Sequence, residues 1–243
     1  MQRKAANANG VIFVDTLTMP QPPASRPSEL RLFGSIDAPI ASALATKGCV
    51  RIYKEQKVLY RRGDEPKKIY MVLDGIVVLD VTGRVGQTEV VDYCGVGEWL
   101  NLESACDNGP HLVTATSSKP AALLEISVCT FRRSLSRDPA LLQCVNVMLA
   151  DRLRKARERL CQFKYHSVSQ RLAKYLLDIV YESQSSRIVI PVEKRLLAAR
   201  LGASAESLSR ALACLRKLGV NTSGSVVDIA DVSKLQQMVY ASQ

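Results

Sequence analysis

Apolar and polar positions change rhythm twice along this chain, and those changes divide it. From Cys49 to Ser127, short β-like runs alternate with turn residues: Val50 to Tyr53, Val58 to Tyr60, Ile69 to Leu73, Ile76 to Val81, Glu89 to Tyr93 and Ala121 to Ile126. Between them fall Arg62-Gly63-Asp64, Asp74-Gly75, Gly83 with Gly86, and Gly95 with Gly97. Asp-Gly between apolar runs predicts a hairpin, because both residues accept the backbone such a turn needs. Many short strands at even spacing predict a sandwich or barrel. Unrelated hairpins laid on a helical core are the alternative.

Near Asp138 the period lengthens. Asp138 suits a helix cap and Pro139 the first turn, and neither Gly nor Pro interrupts the run as far as Phe163. Leu142, Leu149, Ala156 and Phe163 recur every seventh position, beside a second row of Leu153 and Leu160 with Asn146 as its polar member. This seam predicts a two-stranded coiled coil and hence a homodimer, while a helix packed on its own domain is the alternative. Arg152, Arg154, Lys155, Arg157, Glu158 and Arg159 lie outside the seam, as expected of a solvent-facing surface. A second helix is expected from Ser167 to Tyr181, followed by the polar stretch Glu182 to Ser186 and by Ile188-Val189-Ile190-Pro191.

The last third carries the most informative spacing. A short helix, Glu193 to Arg200, would turn Leu196, Leu197 and Leu201 inward. Leu201-Gly202-Ala203 supplies a tight turn, and Ser204 caps a second helix, Ala205 to Leu218, with Leu208, Ala211, Leu212 and Leu215 inside. Glu206, Ser209 and Arg210 then share the outer side of its first two turns, where a recognition helix meets base edges. Arg210 has two donors for guanine, Glu206 an acceptor for a cytosine amino group, and Ser209 suits a base or a phosphate. A plain solvated surface helix is the alternative. Val220 to Ile229, turning at Ser223-Gly224-Ser225, predicts a small hairpin, or wing.

The formal charge of +10 points to an anionic partner, either nucleic acid or a membrane surface, with a soluble protein that is merely basic as the alternative. No apolar run approaches the roughly 20 residues that span a bilayer, so no membrane partner is expected. Arg3 and Lys4 precede a run, Val11 to Val14, that Asp15 interrupts with no cleavage site after it; a cytoplasmic location is expected. Seven cysteines, at 49, 94, 106, 129, 144, 161 and 214, include no C-x-x-C pair and imply neither a zinc site nor a disulfide framework. The first 27 residues, with Met19-Pro20-Gln21-Pro22-Pro23, are expected to form a flexible leader, and a short helix is expected from Pro39 to Thr46, ended by Gly48.

Order and motifs together resemble the CRP/FNR family of bacterial transcription regulators over about residues 28 to 235. The resemblance rests on Arg62-Gly63-Asp64, Leu73-Asp74-Gly75 and Gly95-Val96-Gly97-Glu98, and on Leu201-Gly202 with Ala205-Glu206-Ser207-Leu208-Ser209-Arg210. It implies an α+β chain: a flexible leader (1–27), a cyclic-nucleotide-binding-type β-barrel of double-stranded jelly-roll form as sensor (28–135), a dimerisation helix (136–165) and a winged helix-turn-helix (166–243). Double-stranded DNA is the implied partner, with RNA polymerase joining if the protein activates. Ser204, Glu206, Ser207, Ser209, Arg210 and Lys217 are the implied DNA contacts, and the Glu-x-x-Ser-Arg form implies a TTGAT-N4-ATCAA-like palindrome. The dimer seam is Leu142, Leu149, Leu153, Ala156, Leu160 and Phe163.

The sensor departs from the family's cyclic-nucleotide pattern. Asn101-Leu102 stands where Gly-Glu would hold the ribose, and Pro110-His111-Leu112-Val113 where an Arg motif would pair with the cyclic phosphate. A phosphate without its guanidinium partner is poorly held, so cyclic AMP is not expected. The candidate pocket comprises Gly97, Glu98, Asn101, Leu102, His111 and Leu112. No cofactor is assigned. Haem with His111 as ligand, a thiol switch at Cys94 or Cys106, and a constitutive regulator without a ligand all stay open. A leader without cysteine cannot hold an amino-terminal iron–sulfur cluster. A cyclic-nucleotide-regulated enzyme or channel fails for want of a catalytic motif or a membrane span. A non-DNA interaction protein that retained the winged helix as a scaffold predicts no salt-dependent DNA shift.

Overall fold

The computed structural model describes residues 11–12, 44–83, 87–190 and 192–240 and divides into two compact units, 1–153 and 154–243. Among the described residues the first holds nine strands: β1 (Val11–Ile12), β2 (Cys49–Tyr53), β3 (Val58–Tyr60), β4 (Lys68–Asp74), β5 (Val77–Thr82), β6 (Thr88–Cys94), β7 (Trp99–Leu100), β8 (Thr114–Ser117) and β9 (Ala121–Ser127). They form two antiparallel sheets, ordered β1-β2-β9-β4-β7 and β3-β8-β5-β6. The expected double-stranded jelly roll is present as a jelly-roll-like pair of sheets. Among the described residues no strand hydrogen-bonds across both sheets, so the ladder does not close.

Period-two alternation in β4 explains why the larger sheet is covered on both faces. Tyr70 and Val72 share one core cluster with Val77, Leu100, Ala115 and Leu123, which joins the two sheets. Ile69 and Met71 point the other way, into a cluster with Leu102, Phe131, Leu141 and Val145 from the helices of this unit. Four consecutive buried positions, Ile69 to Val72, follow from this double cover. The Asp74-Gly75 turn joins β4 to β5 with Gly75 at φ 81, and a Cβ there would meet the Pro120 carbonyl oxygen at 2.7 Å. Only glycine fits.

The helix Pro139–Tyr165 runs from the first unit into the second. Asp138 caps it through its side chain, with Oδ1 accepting from the amides of Ala140 and Leu141 at 3.1 Å each. In the second unit, Ser167 opens the helix Val168–Ser183 with a capping box: its Oγ accepts from the Gln170 amide and Gln170 answers to the Ser167 amide. Helices Lys194–Arg200 and Ala205–Arg216 follow. Then come β11 (Val220–Ser223) and β12 (Val226–Ile229), with β10 (Arg187–Val189) pairing antiparallel to β12. One core cluster holds this unit together, including Leu172, Leu176, Leu197, Leu208, Leu215 and Leu235.

Several elements escape the sequence pattern. β7 is two residues long, and β8 reads Thr-Ala-Thr-Ser with no apolar run. Helices Leu102–Asp107, Val128–Arg137 and Val232–Tyr240 also went unpredicted. Most of the expected leader and most of the Pro39–Thr46 helix lie outside the described residues, but Val11–Ile12 of the leader pair antiparallel with β2.

Candidate nucleic-acid interface and sensor cavity

Ser204 enters the second helix of the helix-turn-helix from extended backbone, and its Oγ accepts from the Ser207 amide at 3.1 Å. Leu208, Ala211 and Leu215 turn inward at 1, 2 and 0% exposure. With a period of 3.6, that anchoring leaves Glu206, Ser209 and Arg210 exposed on the opposite side. Arg210 Nη1 donates to Glu206 Oε1 at 2.8 Å and Nη2 to Ser207 Oγ at 3.1 Å. Ser209 Oγ donates to the Ala205 carbonyl at 3.0 Å. The face thus presents a guanidinium fork, a carboxylate and hydroxyls beside a helix N-terminus that favours anions. Lys217, exposed, sits at the far end as the helix C-cap.

Behind that helix lies a residue the sequence reading passed over. Arg171 is 8% exposed. Its Nε donates to the Leu201 carbonyl at 2.9 Å, Nη1 to the His166 carbonyl at 2.8 Å and Nη2 to the Gly202 carbonyl at 3.4 Å. The guanidinium also stands 5.2 Å from the centroid of the Phe163 ring. Gly202, at φ 57, takes that same ring so closely that a Cβ would lie 3.0 Å from Phe163 Cε1. One signal was available: Arg171 falls in the apolar row of Val168, Leu172, Tyr175 and Leu176, where a solvated arginine has no place.

The seam residues are mostly uncovered. Leu142, Leu153, Leu160 and Phe163 are 42, 53, 55 and 46% exposed, and Ala156 is also exposed. Leu149 is half-buried and packs against the helix-side core of the first unit.

In the first unit a cavity of about 400 Å³ opens among Leu59, Tyr60, Lys67, Lys68, Tyr70 and His111, with Asp64 and Glu65 beside them. His111 is 4% exposed, its ring stacked on Tyr60 at 3.8 Å between centroids. Its backbone is tied to the Arg62-Gly63-Asp64 turn: Gly63 N donates to the His111 carbonyl at 2.8 Å, and His111 N to the Asp64 carbonyl at 3.0 Å. Burial pushes the His111 pKa below its ordinary 6.5, against the pull of Asp64 and Glu103. Burial likewise raises the Tyr60 and Tyr70 hydroxyls far above theirs.

The other candidate pocket residues lie outside this lining. Asn101, at φ 72, takes the left-handed backbone that Asn tolerates better than most residues, and its Nδ2 donates to the Lys68 carbonyl at 2.8 Å. Leu102 is 1% exposed in the core beside Trp99 and Phe131. Gly97 and Glu98 form the turn before β7, and Leu112 is 77% exposed. Cys106 is exposed, and burial of its thiol group raises its pKa. Among the described residues no cluster of His, Cys, Asp and Glu could hold a metal ion, and no helix is long and apolar enough to cross a membrane.

Comparison with known proteins matches both halves in this order. Residues 50–138 match the cyclic nucleotide-binding domain, and residues 170–238 the Crp-like helix-turn-helix domain. A CRP-like cAMP-activated global transcriptional regulator from Mycobacterium tuberculosis is 23% identical over 204 residues, covering 81% of this chain and 91% of that protein. A regulatory protein from Silicibacter pomeroyi DSS-3 shares the fold at TM-score 0.62 and 27% identity, over 85% of this chain and 93% of that one. FixK2 from Bradyrhizobium japonicum superposes at TM-score 0.69 and 20% identity, over 79% of this chain and 96% of its own. A sensor fold followed by a helix-turn-helix, both matched in sequence, places the chain in the CRP/FNR family of transcription regulators.

Proposed function

We propose that this regulator binds a TTGAT-N4-ATCAA-like palindrome as a homodimer and does not answer to cyclic AMP. The observation that carries the DNA half is the exposed trio Glu206, Ser209 and Arg210 on a helix whose opposite face is locked into the core. Arg210 reads guanine with its fork, Glu206 and Ser209 contact neighbouring positions, and Ser204, Ser207 and Lys217 meet the backbone. The uncovered row Leu142, Leu153, Ala156, Leu160 and Phe163 is the surface offered to a second copy. An activator of this kind would recruit RNA polymerase.

Against cyclic AMP stands the fate of the residues at the motif positions. Leu102, in place of a ribose-holding carboxylate, is core. His111, in the segment that stands where the arginine motif would be, has its pKa lowered by burial and is stacked on Tyr60. Lys68, beside the cavity, is held by the buried Glu125 carboxylate at 2.6 Å. These residues do not fit a cyclic phosphate. Desolvation raises the Cys106 thiol pKa, which lowers its reactivity and disfavours a thiol switch at that residue.

The test is binding of the purified protein to the palindrome and to a scrambled duplex at physiological salt, with and without cyclic AMP. Preference for the palindrome, unchanged by the nucleotide, is the expected result. Equal binding to both duplexes would defeat the assigned half-site, and a response to cyclic AMP the sensor reading. A Soret band in the same sample would restore haem.

A further inference from the structure

Arg171 is the only buried arginine among the described residues, and its three hydrogen bonds all go to backbone carbonyls. The three carbonyls share one property. His166 directly follows the end of the helix Pro139–Tyr165, and Leu201 is the C-cap of Lys194–Arg200, with Gly202 next to it. Helix C-termini leave carbonyls without intrahelical partners and carry partial negative charge. One guanidinium therefore caps two helices at once. No carboxylate among the described residues pairs with it, so these carbonyls and the Phe163 ring hold its charge. The same ring presses on Gly202, in the turn that leads into the recognition helix.

We infer that Arg171 is a positioning residue for DNA reading: it locks the helix-turn-helix turn to the end of the long helix and so sets the attitude of the recognition helix. This rests on the dimeric DNA-reading function proposed above. Two recognition helices must reach half-sites about 34 Å apart, so a small error of angle at each turn becomes a misplacement at the bases. A lysine supplies charge but no fork, and its single ammonium cannot span three carbonyls held in different directions. Arg171→Lys should then leave the unit folded while loosening that angle.

The test has two arms. In the first, full-length protein is labelled on the exposed cysteines Cys161, in the long helix, and Cys214, in the recognition helix, the other five being replaced by serine. Pulsed electron resonance on samples diluted with unlabelled protein then reads the distance within one chain. One narrow distance is expected, and a broader or shifted distribution in Arg171→Lys at unchanged helical circular dichroism. In the second, affinity for the palindrome should fall about tenfold in Arg171→Lys, with spacers one base pair longer or shorter penalised less than in the native protein. An unchanged distance distribution overturns the inference, whatever the DNA result. A native protein that ignores the palindrome defeats the DNA-reading proposal, while the distance arm still decides the role of Arg171.

Discussion

The Arg210 guanidinium is held 2.8 Å from the Glu206 carboxylate across one turn of the recognition helix, with both side chains more than two-thirds exposed. An exposed i,i+4 pair contributes about 0.3–0.5 kcal/mol to stability. Its value lies in orientation, because the fork is aimed before a base arrives. Arg210→Ala should leave the unfolding midpoint almost unchanged and cost about 1–3 kcal/mol of specific DNA binding. Urea unfolding beside a binding isotherm checks both. A large stability loss would show the pair to be structural.

The long helix gives a prediction of the opposite kind. Leu153 and Leu160 are half exposed in one chain, so placing lysine at both should cost that chain less than about 0.5 kcal/mol. Lysines buried against each other across a seam are costly, and the proposed dimer should dissociate. Sedimentation at micromolar concentration is the measurement. A dimer that survives both changes would move the interface elsewhere.

Gly202 is fixed by two constraints at once, a φ of 57 and a Phe163 ring that would lie 3.0 Å from any Cβ. Gly202→Ala should destabilise the second unit by about 1–3 kcal/mol. Pairing it with Phe163→Leu should recover part of the loss, since the smaller side chain frees the space. Additive losses in the double variant would mean that backbone conformation alone sets the cost.

Stability should also depend on pH through His111. Its pKa in the folded chain lies below the ordinary 6.5, chiefly by burial. Above 6.5 both folded and unfolded forms are neutral and the contribution is complete. As pH falls below 6.5 the unfolded chain takes up a proton that the folded one resists, so stability drops, by at most about 1.4 kcal/mol per pH unit, until the folded group titrates too. His111→Gln should flatten that part of the profile. Unfolding curves at about pH 7.5, 6.5 and 5.5 test it; parallel profiles for native and variant would count against a neutral His111.

Features legible from residue spacing alone are local. The long helix and its Asp138 cap, the second helix beginning near Ser167, the turn at Gly202 and the outward trio on the recognition helix all follow from spacing within a few residues. In each, one buried face or one cap decides the outcome over a single turn of chain. The tertiary structure decided what depends on partners far along the chain. β8 has no apolar run and becomes a strand because β3 and β5 flank it. Leu102 is core because Trp99 and Phe131 meet there, and the His111 pKa is lowered because the fold buries its ring. Arg171 reaches carbonyls about thirty residues away. No local pattern encodes such meetings, because whether a charged or polar side chain is buried depends on the surfaces that close over it.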